Sequence, residues 1–117
     1  MAGHEERLRR LAIYDPAFLQ AVLAIHPGDV RASGLDPKTH TLVQLSALLA
    51  ADAPSTSWHC TATLALAVGA TPDEVVGTLV AVAPIIGLGR AAAAASDIAL
   101  AVGYDLDAAL AGRNGTS

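Results

Sequence analysis

His59 and Cys60 are adjacent, and Ser55, Thr56, Ser57 and Thr61 surround them in one short stretch. An imidazole titrates near neutral pH and can give or take a proton, whereas a cysteine attacks only as its thiolate. The same stretch reads as the start of a helix, where backbone N–H groups without intrahelical partners favour an anion. Arg90 stands near another helix start, after Gly87 and Gly89, and is the only Lys or Arg between Lys38 and Arg113. In a chain of formal net charge −4, an acidic ligand needs such a local positive site. Arg90 and Ser55 together can hold the carboxylate or oxygen of a small organic acid. His59 then serves as acid or base, with Ser57 and Thr61 beside it.

Each of these residues also has a plainer reading. His59 can be a capped or exposed helix-start histidine, and Arg90 a solvated first-turn side chain or one half of an intersubunit ion pair. Cys60, the only cysteine, has no resolving thiol, and a lone cysteine in an Ala/Leu-rich helix reads as a small buried packing residue. His59 and Cys60 point about 100° apart on a helix, and His4, His26 and His40 lie on separate segments, so no metal site is expected. Gly87-Leu88-Gly89-Arg90-Ala91-Ala92 fits the pattern G-x-G-x-x-A, which carries meaning only after a strand in a βαβ unit. No strand precedes it, and the glycines read as a helix break allowing close backbone approach. No cofactor is expected.

The elements that must position these residues are all helical. Asp15-Pro16 and Asp36-Pro37 each set a capping side chain before a proline at the first helical position. The first pair opens a helix ending before His26-Pro27-Gly28. The second opens a longer one, in which Leu42, Leu45, Leu48 and Leu49 form a helical stripe. Thr71-Pro72-Asp73-Glu74 is a capping box, and Gly69 suits the left-handed stop of the preceding helix. These signals predict helices over Ser57–Val68 and Pro72 to about Ile86, with Pro84 kinking or ending the latter. Gly87-Leu88-Gly89 breaks the chain before an Ala-rich helix that stops at Gly103, and Asp105 caps a last short one. The segment 1–34 holds N-terminal helices, and 112–117 is expected to be a loose tail. The expected fold is an all-α, compact bundle of about six helices in one domain, 1–117.

Composition limits partner and place. With 117 residues there is one core, and 53% hydrophobic against 3% aromatic residues means a core built from Ala, Leu, Val and Ile. Alanine hides little area, so apolar helix faces stay uncovered in a monomer and self-association follows. The basic residues form only one short cluster near the start, which argues against nucleic acid. The longest apolar run, Leu79 to Gly89, falls short of the ~20 residues of a membrane span. The absence of a signal-type apolar run and the single cysteine fit a reducing cytoplasm.

Leu35 to Ala51, Ala65 to Pro84, and Gly87 with the Ala-rich helix after it resemble the carboxymuconolactone decarboxylase-like and alkylhydroperoxidase D-like superfamily. The resemblance covers the chain from Leu35 to Tyr104, a core at 35–104, and implies small helical subunits assembled as trimers or hexamers. The redox branch carries a Glu on the long helix, then Cys-x-x-Cys-x-x-x-His with the His eight residues before the glycine matching Gly69. Those positions fall near Thr41 and on Pro54, Ser57 and Thr61; a two-residue offset that places the His on His59 moves the cysteines to Asp52 and Ser55. Neither register supplies a thiol pair. The decarboxylase branch has a His at the same place, in a pocket for a lactone carrying carboxylates. His59 lies two positions away, a rotation of roughly 200° that turns it from that pocket unless the helix start absorbs the offset. Three functions remain: a cofactor-independent lyase or isomerase on a small acid or lactone, a non-catalytic binding or structural oligomer, and a peroxidase using Cys60 with an external thiol.

Overall fold

The computed structural model describes residues 3–23 and 33–115, and among them every regular element is a helix. In chain order these are α1 (His4–Ala12), α2 (Pro16–Leu23), α3 (Pro37–Ala50), α4 (Ser55–Ala67), α5 (Pro72–Ile86), α6 (Leu88–Ala101) and α7 (Leu106–Gly115). The expected end of the second helix before His26 lies outside the described residues.

Most boundaries follow the capping chemistry. The Asp36 carboxylate accepts from the Thr39 N–H at 2.9 Å, one residue before Pro37 opens α3. Thr71 and Glu74 form the reciprocal capping box of α5, Thr71 Oγ1 accepting from the Glu74 N–H and Glu74 Oε1 from the Thr71 N–H. The other Glu74 oxygen meets Lys38 Nζ at 2.8 Å, so one carboxylate caps α5 and ties its first turn to that of α3. Asp105 Oδ1 accepts from the Ala108 N–H at the start of α7.

Three boundaries differ from expectation. Helix α4 begins at Ser55 rather than Ser57, because Pro54, in an extended conformation, serves as its N-cap residue. Helix α5 ends at Ile86 as expected, and Pro84 lies inside it without ending it. The break between α5 and α6 is the single residue Gly87, whose φ of 97° belongs to the left-handed half of the map; Gly89 is already helical. A Cβ at either glycine would meet nothing within 4 Å, so backbone angle and not close approach explains Gly87. Helix α7 continues to Gly115, into the stretch expected to be loose.

The core is a ring of four helices in which α3 packs on α4 and α5, and α6 packs on the same two from the other side. Leu45 and Leu49 of α3, Trp58, Ala62 and Ala65 of α4, Val75 and Leu79 of α5, and Ala94 and Ile98 of α6 fill its centre. Ala62 and Ala65 have no exposed surface, which lets the backbone of α4 approach its neighbours closely. Helices α1 and α2 pack chiefly on each other and contribute no buried residue, and α7 packs on α6. The compact part is therefore α3–α6, within a chain 61 Å along its longest axis.

Close approach at Ala65 predicts that Ala65→Leu costs about 1–3 kcal/mol by overpacking, and that Thr71→Ala costs about 1 kcal/mol through loss of the cap. Ala92→Leu, on an exposed face, is expected to be nearly neutral. Urea unfolding at fixed protein concentration measures all three.

Lys38, and then the Thr71 N–H, hold the Glu74 carboxyl below its ordinary range. A depressed carboxylate stabilises the fold above the unfolded-chain pKa, and that contribution is lost as pH falls through the folded value. Glu6, bridged by Arg9 and Arg10 and lowered to about 2, acts in the same direction. The stability gap between wild type and Glu74→Gln should therefore be larger at pH 7 than at pH 3, read from urea midpoints. An unchanged gap would contradict this.

Candidate functional site

The turn between α3 and α4 places the first site residue. The Ala53 N–H reaches back to the Leu48 carbonyl at 3.1 Å, and Asp52 between them adopts φ 58°, a left-handed helix stop without glycine. Aspartate tolerates this conformation better than most side chains. Pro54 then redirects the chain into α4, where the buried Trp58 donates its indole N–H to the Ala53 carbonyl at 3.1 Å. That bond anchors the turn to the first turn of α4.

Opposite this turn runs α6. Arg90, Ala94 and Asp97 are spaced at i, i+4 and i+7 and so share one face. They meet the α3–α4 turn in an open cleft of about 190 Å³, whose polar wall is Asp52, Ser55, Arg90 and Asp97 and whose apolar wall includes Leu49, Trp58 and Ile86. A second cleft of about 230 Å³ adjoins it, lined by Ser55, Thr56, His59, Cys60 and Asp97. Ser55 and Asp97 belong to both. The imidazole and the guanidinium thus border neighbouring clefts with a common wall.

The charges in the Arg90 cleft are mixed. Arg90 Nη1 donates to the Ala50 carbonyl at 3.4 Å, a long bond at the negative end of α3. Among the described residues it forms no ion pair within 4 Å, although Asp52 and Asp97 line the same cleft. One cation against two carboxylates disfavours a simple anion. The arrangement suits a small molecule with an acidic or carbonyl oxygen for Arg90 and a hydroxyl or acidic C–H for the carboxylates. Both clefts are below the ~300 Å³ at which drug-sized ligands begin to fit.

Of the residues singled out by sequence, Ser55, His59 and Arg90 reach these clefts, and Thr61 and Ser57 line neither. The Thr61 hydroxyl is turned back on its own helix, donating to the Ser57 carbonyl at 3.0 Å, and Ser57 is exposed. Cys60 is exposed and borders the His59 cleft, which corrects its reading as a buried packing residue. Its position on α4 lies outside the buried row Trp58, Ala62 and Ala65. Thr41, at the position of the acidic residue of the redox branch, is fully buried and donates to the Pro37 carbonyl at 2.8 Å.

Sequence reasoning missed Asp52, Trp58 and Asp97. The i+7 spacing from Arg90 is the signal that points to Asp97, whereas Asp52 enters through a turn conformation that no spacing rule reports. It also missed His40, buried at the start of α3, where Nδ1 pairs with Ser33 Oγ at 2.7 Å and Nε2 has no hydrogen-bond partner among the described residues. His40 lines neither cleft.

A model of the carboxymuconolactone decarboxylase family matches residues 16–100. No curated protein and no solved structure matches the chain. The matched span runs from the first residue of α2 into the last turn of α6, and it includes every residue lining the two clefts. A match over so much of the chain, together with the all-helical core, places this protein in the carboxymuconolactone decarboxylase family.

Proposed function

We propose that the protein is a cofactor-independent lyase or isomerase acting on a small organic acid or lactone in the paired clefts between α4, α6 and the α3–α4 turn. The observation that carries this reading is the placement of Arg90 and Asp97 in one cleft and His59 in the next, with Asp97 and Ser55 common to both. Arg90 holds a substrate carboxylate or carbonyl oxygen. Asp97 takes a proton from carbon next to a carbonyl, the electron pair passing to the oxygen as an enolate, and His59 returns a proton at a second position. In a decarboxylation the carboxylate leaves as carbon dioxide, its bonding pair forms the enolate, and His59 supplies the proton.

A second reading, a non-catalytic binding or structural oligomer, draws on the bond from Arg90 to the Ala50 carbonyl, because a guanidinium capping α3 needs no ligand to justify it. The two readings separate on two variants. Arg90→Ala is expected to weaken binding of small carboxylates by at least about tenfold, and His59→Gln to lower turnover with little change in binding. Calorimetric titration, with circular dichroism to verify folding, measures the first effect. Unchanged affinity in folded Arg90→Ala protein removes Arg90 from the site.

A peroxidase reading would rest on Cys60, which is exposed beside His59 but is the only thiol of the chain. Cys60→Ser is expected to leave assembly, thermal midpoint and any lyase activity unchanged, while wild-type Cys60 reacts readily with a thiol reagent in the native protein. Hydroperoxide turnover by wild type that disappears in Cys60→Ser would replace the lyase reading. An exposed unpaired thiol also suits a reducing compartment such as the cytoplasm. The working unit in this proposal is a homo-oligomer, trimeric or hexameric as the family resemblance implies.

A further inference from the structure

We infer that the site takes a hydroxy monocarboxylate and turns away dicarboxylates, and that Asp52 sets this choice. The inference rests on the acid-site reading above and narrows its substrate class.

The Arg90 cleft is lined by one cation and two carboxylates, Asp52 and Asp97. Among the described residues neither carboxylate has a hydrogen-bond or ion-pair partner, so both keep their full capacity to accept. An ionised carboxylate can do nothing else. Once Arg90 has bound one substrate carboxylate, the far end of the substrate faces acceptors, and Ser55 is the only hydroxyl beside them among the described residues. A hydroxyl at that end donates to Asp52 or Asp97, whereas a second carboxylate brings more acceptors and like charge. No other cation offsets it. Arg90 is the only Lys or Arg between Lys38 and Arg113, and Lys38 is paired with Glu74.

Asp97 already has a task in the proton transfers proposed above; Asp52 has none, and its place in the backbone sets it apart. Helices α3, α4 and α6 end on the same motif, in which an N–H reaches back across a left-handed residue, from Ala53 to the Leu48 carbonyl, Ala70 to Ala65 and Tyr104 to Ala99, at 3.1, 2.9 and 2.9 Å. The left-handed residue is Gly69 after α4 and Gly103 after α6, at φ 107° and 79°. After α3 it is Asp52, at φ 58°. Glycine adopts this conformation without steric cost and aspartate does not, so the helix stop by itself favours glycine here too. The side chain that stands in its place lines the cleft with Arg90.

Two like charges about 6 Å apart at a wet surface, with an effective dielectric constant of about 60, repel enough to change affinity about fivefold. Asparagine at position 52 removes that charge and offers a second carboxylate a donor. It also tolerates the left-handed conformation, so the turn is kept.

The test titrates the full chain at about pH 8, where both carboxyls of succinate are ionised, with 4-hydroxybutyrate and with succinate. The two acids differ in a terminal hydroxymethyl group against a carboxylate, and NMR shifts read even weak binding. Wild type is expected to bind 4-hydroxybutyrate about fivefold more tightly than succinate. In Asp52→Asn succinate should tighten several-fold while 4-hydroxybutyrate changes by less than about twofold, because an amide still accepts from the hydroxyl. Asp52→Gly, which suits the same turn, should also narrow the ratio. Wild type binding succinate as tightly as 4-hydroxybutyrate overturns the inference. So does an unchanged ratio in both variants, or a parallel weakening of both acids in both, which would assign Asp52 to the turn alone. In each of these cases the acid-site reading stands if Arg90→Ala loses both acids. If neither acid binds wild type, or if folded Arg90→Ala binds them unchanged, the acid-site reading falls and this inference with it.

Discussion

Helices built with alanine at their contact points can approach closely, but each such contact removes little apolar surface from water. That trade governs this bundle. Ala62, Ala65 and Ala94 bring α4 and α6 together around Leu45, Val75 and Ile98, and the four-helix ring closes with one tryptophan and no other aromatic side chain in its core. The larger apolar residues that cannot enter so narrow a centre remain outside. Leu8, Val80, Ile85, Leu88 and Leu100 are more than half exposed. Tight packing within the ring and uncovered leucines around it are consequences of the same choice of side chains.

The clefts arise where that packing stops. Near the α3–α4 turn the chain passes from a left-handed Asp52 to an extended Pro54, and α6 crosses the gap with Arg90, Ala94 and Asp97 facing it. Alanine at position 94 leaves the space that a larger residue would fill. Trp58 closes the apolar side, fixed by its indole bond to the turn it covers. Small residues thus have two consequences, close helix contact in the ring and an open cleft at its edge.

Mixed charge distinguishes these clefts from a simple anion pocket. Arg90 reaches the carbonyl end of α3 while two carboxylates share its cleft. A ligand that adds only negative charge gains from Arg90 and loses to Asp52 and Asp97. One that presents an acidic oxygen and also a proton to be moved gains from all three. His59 and Asp97 line one cleft, so an imidazole and a carboxylate border the same space. The absence of a second thiol anywhere in the chain leaves Cys60 without the partner that disulfide chemistry needs.

Local chemistry determined most of the fold. Asp36, Thr71 with Glu74, and Asp105 cap their helices through side chains that reach three residues along the chain, and such short-range bonds are legible from residue type and spacing alone. The leucine stripe of α3 likewise marks its buried face. The same reasoning located Ser55, His59 and Arg90 as polar residues at helix starts, because a helix start is itself a local feature. It misjudged the burial of Cys60, because which face of α4 is covered depends on how that helix packs against α3, α5 and α6, and no local signal reports that packing. Asp52 and Asp97 were out of reach for a different reason. They are 45 residues apart in the chain, and only the packing of α6 against the α3–α4 turn brings two carboxylates and an arginine to one cleft. Helix identity is set by neighbours in sequence; the site is set by neighbours in space.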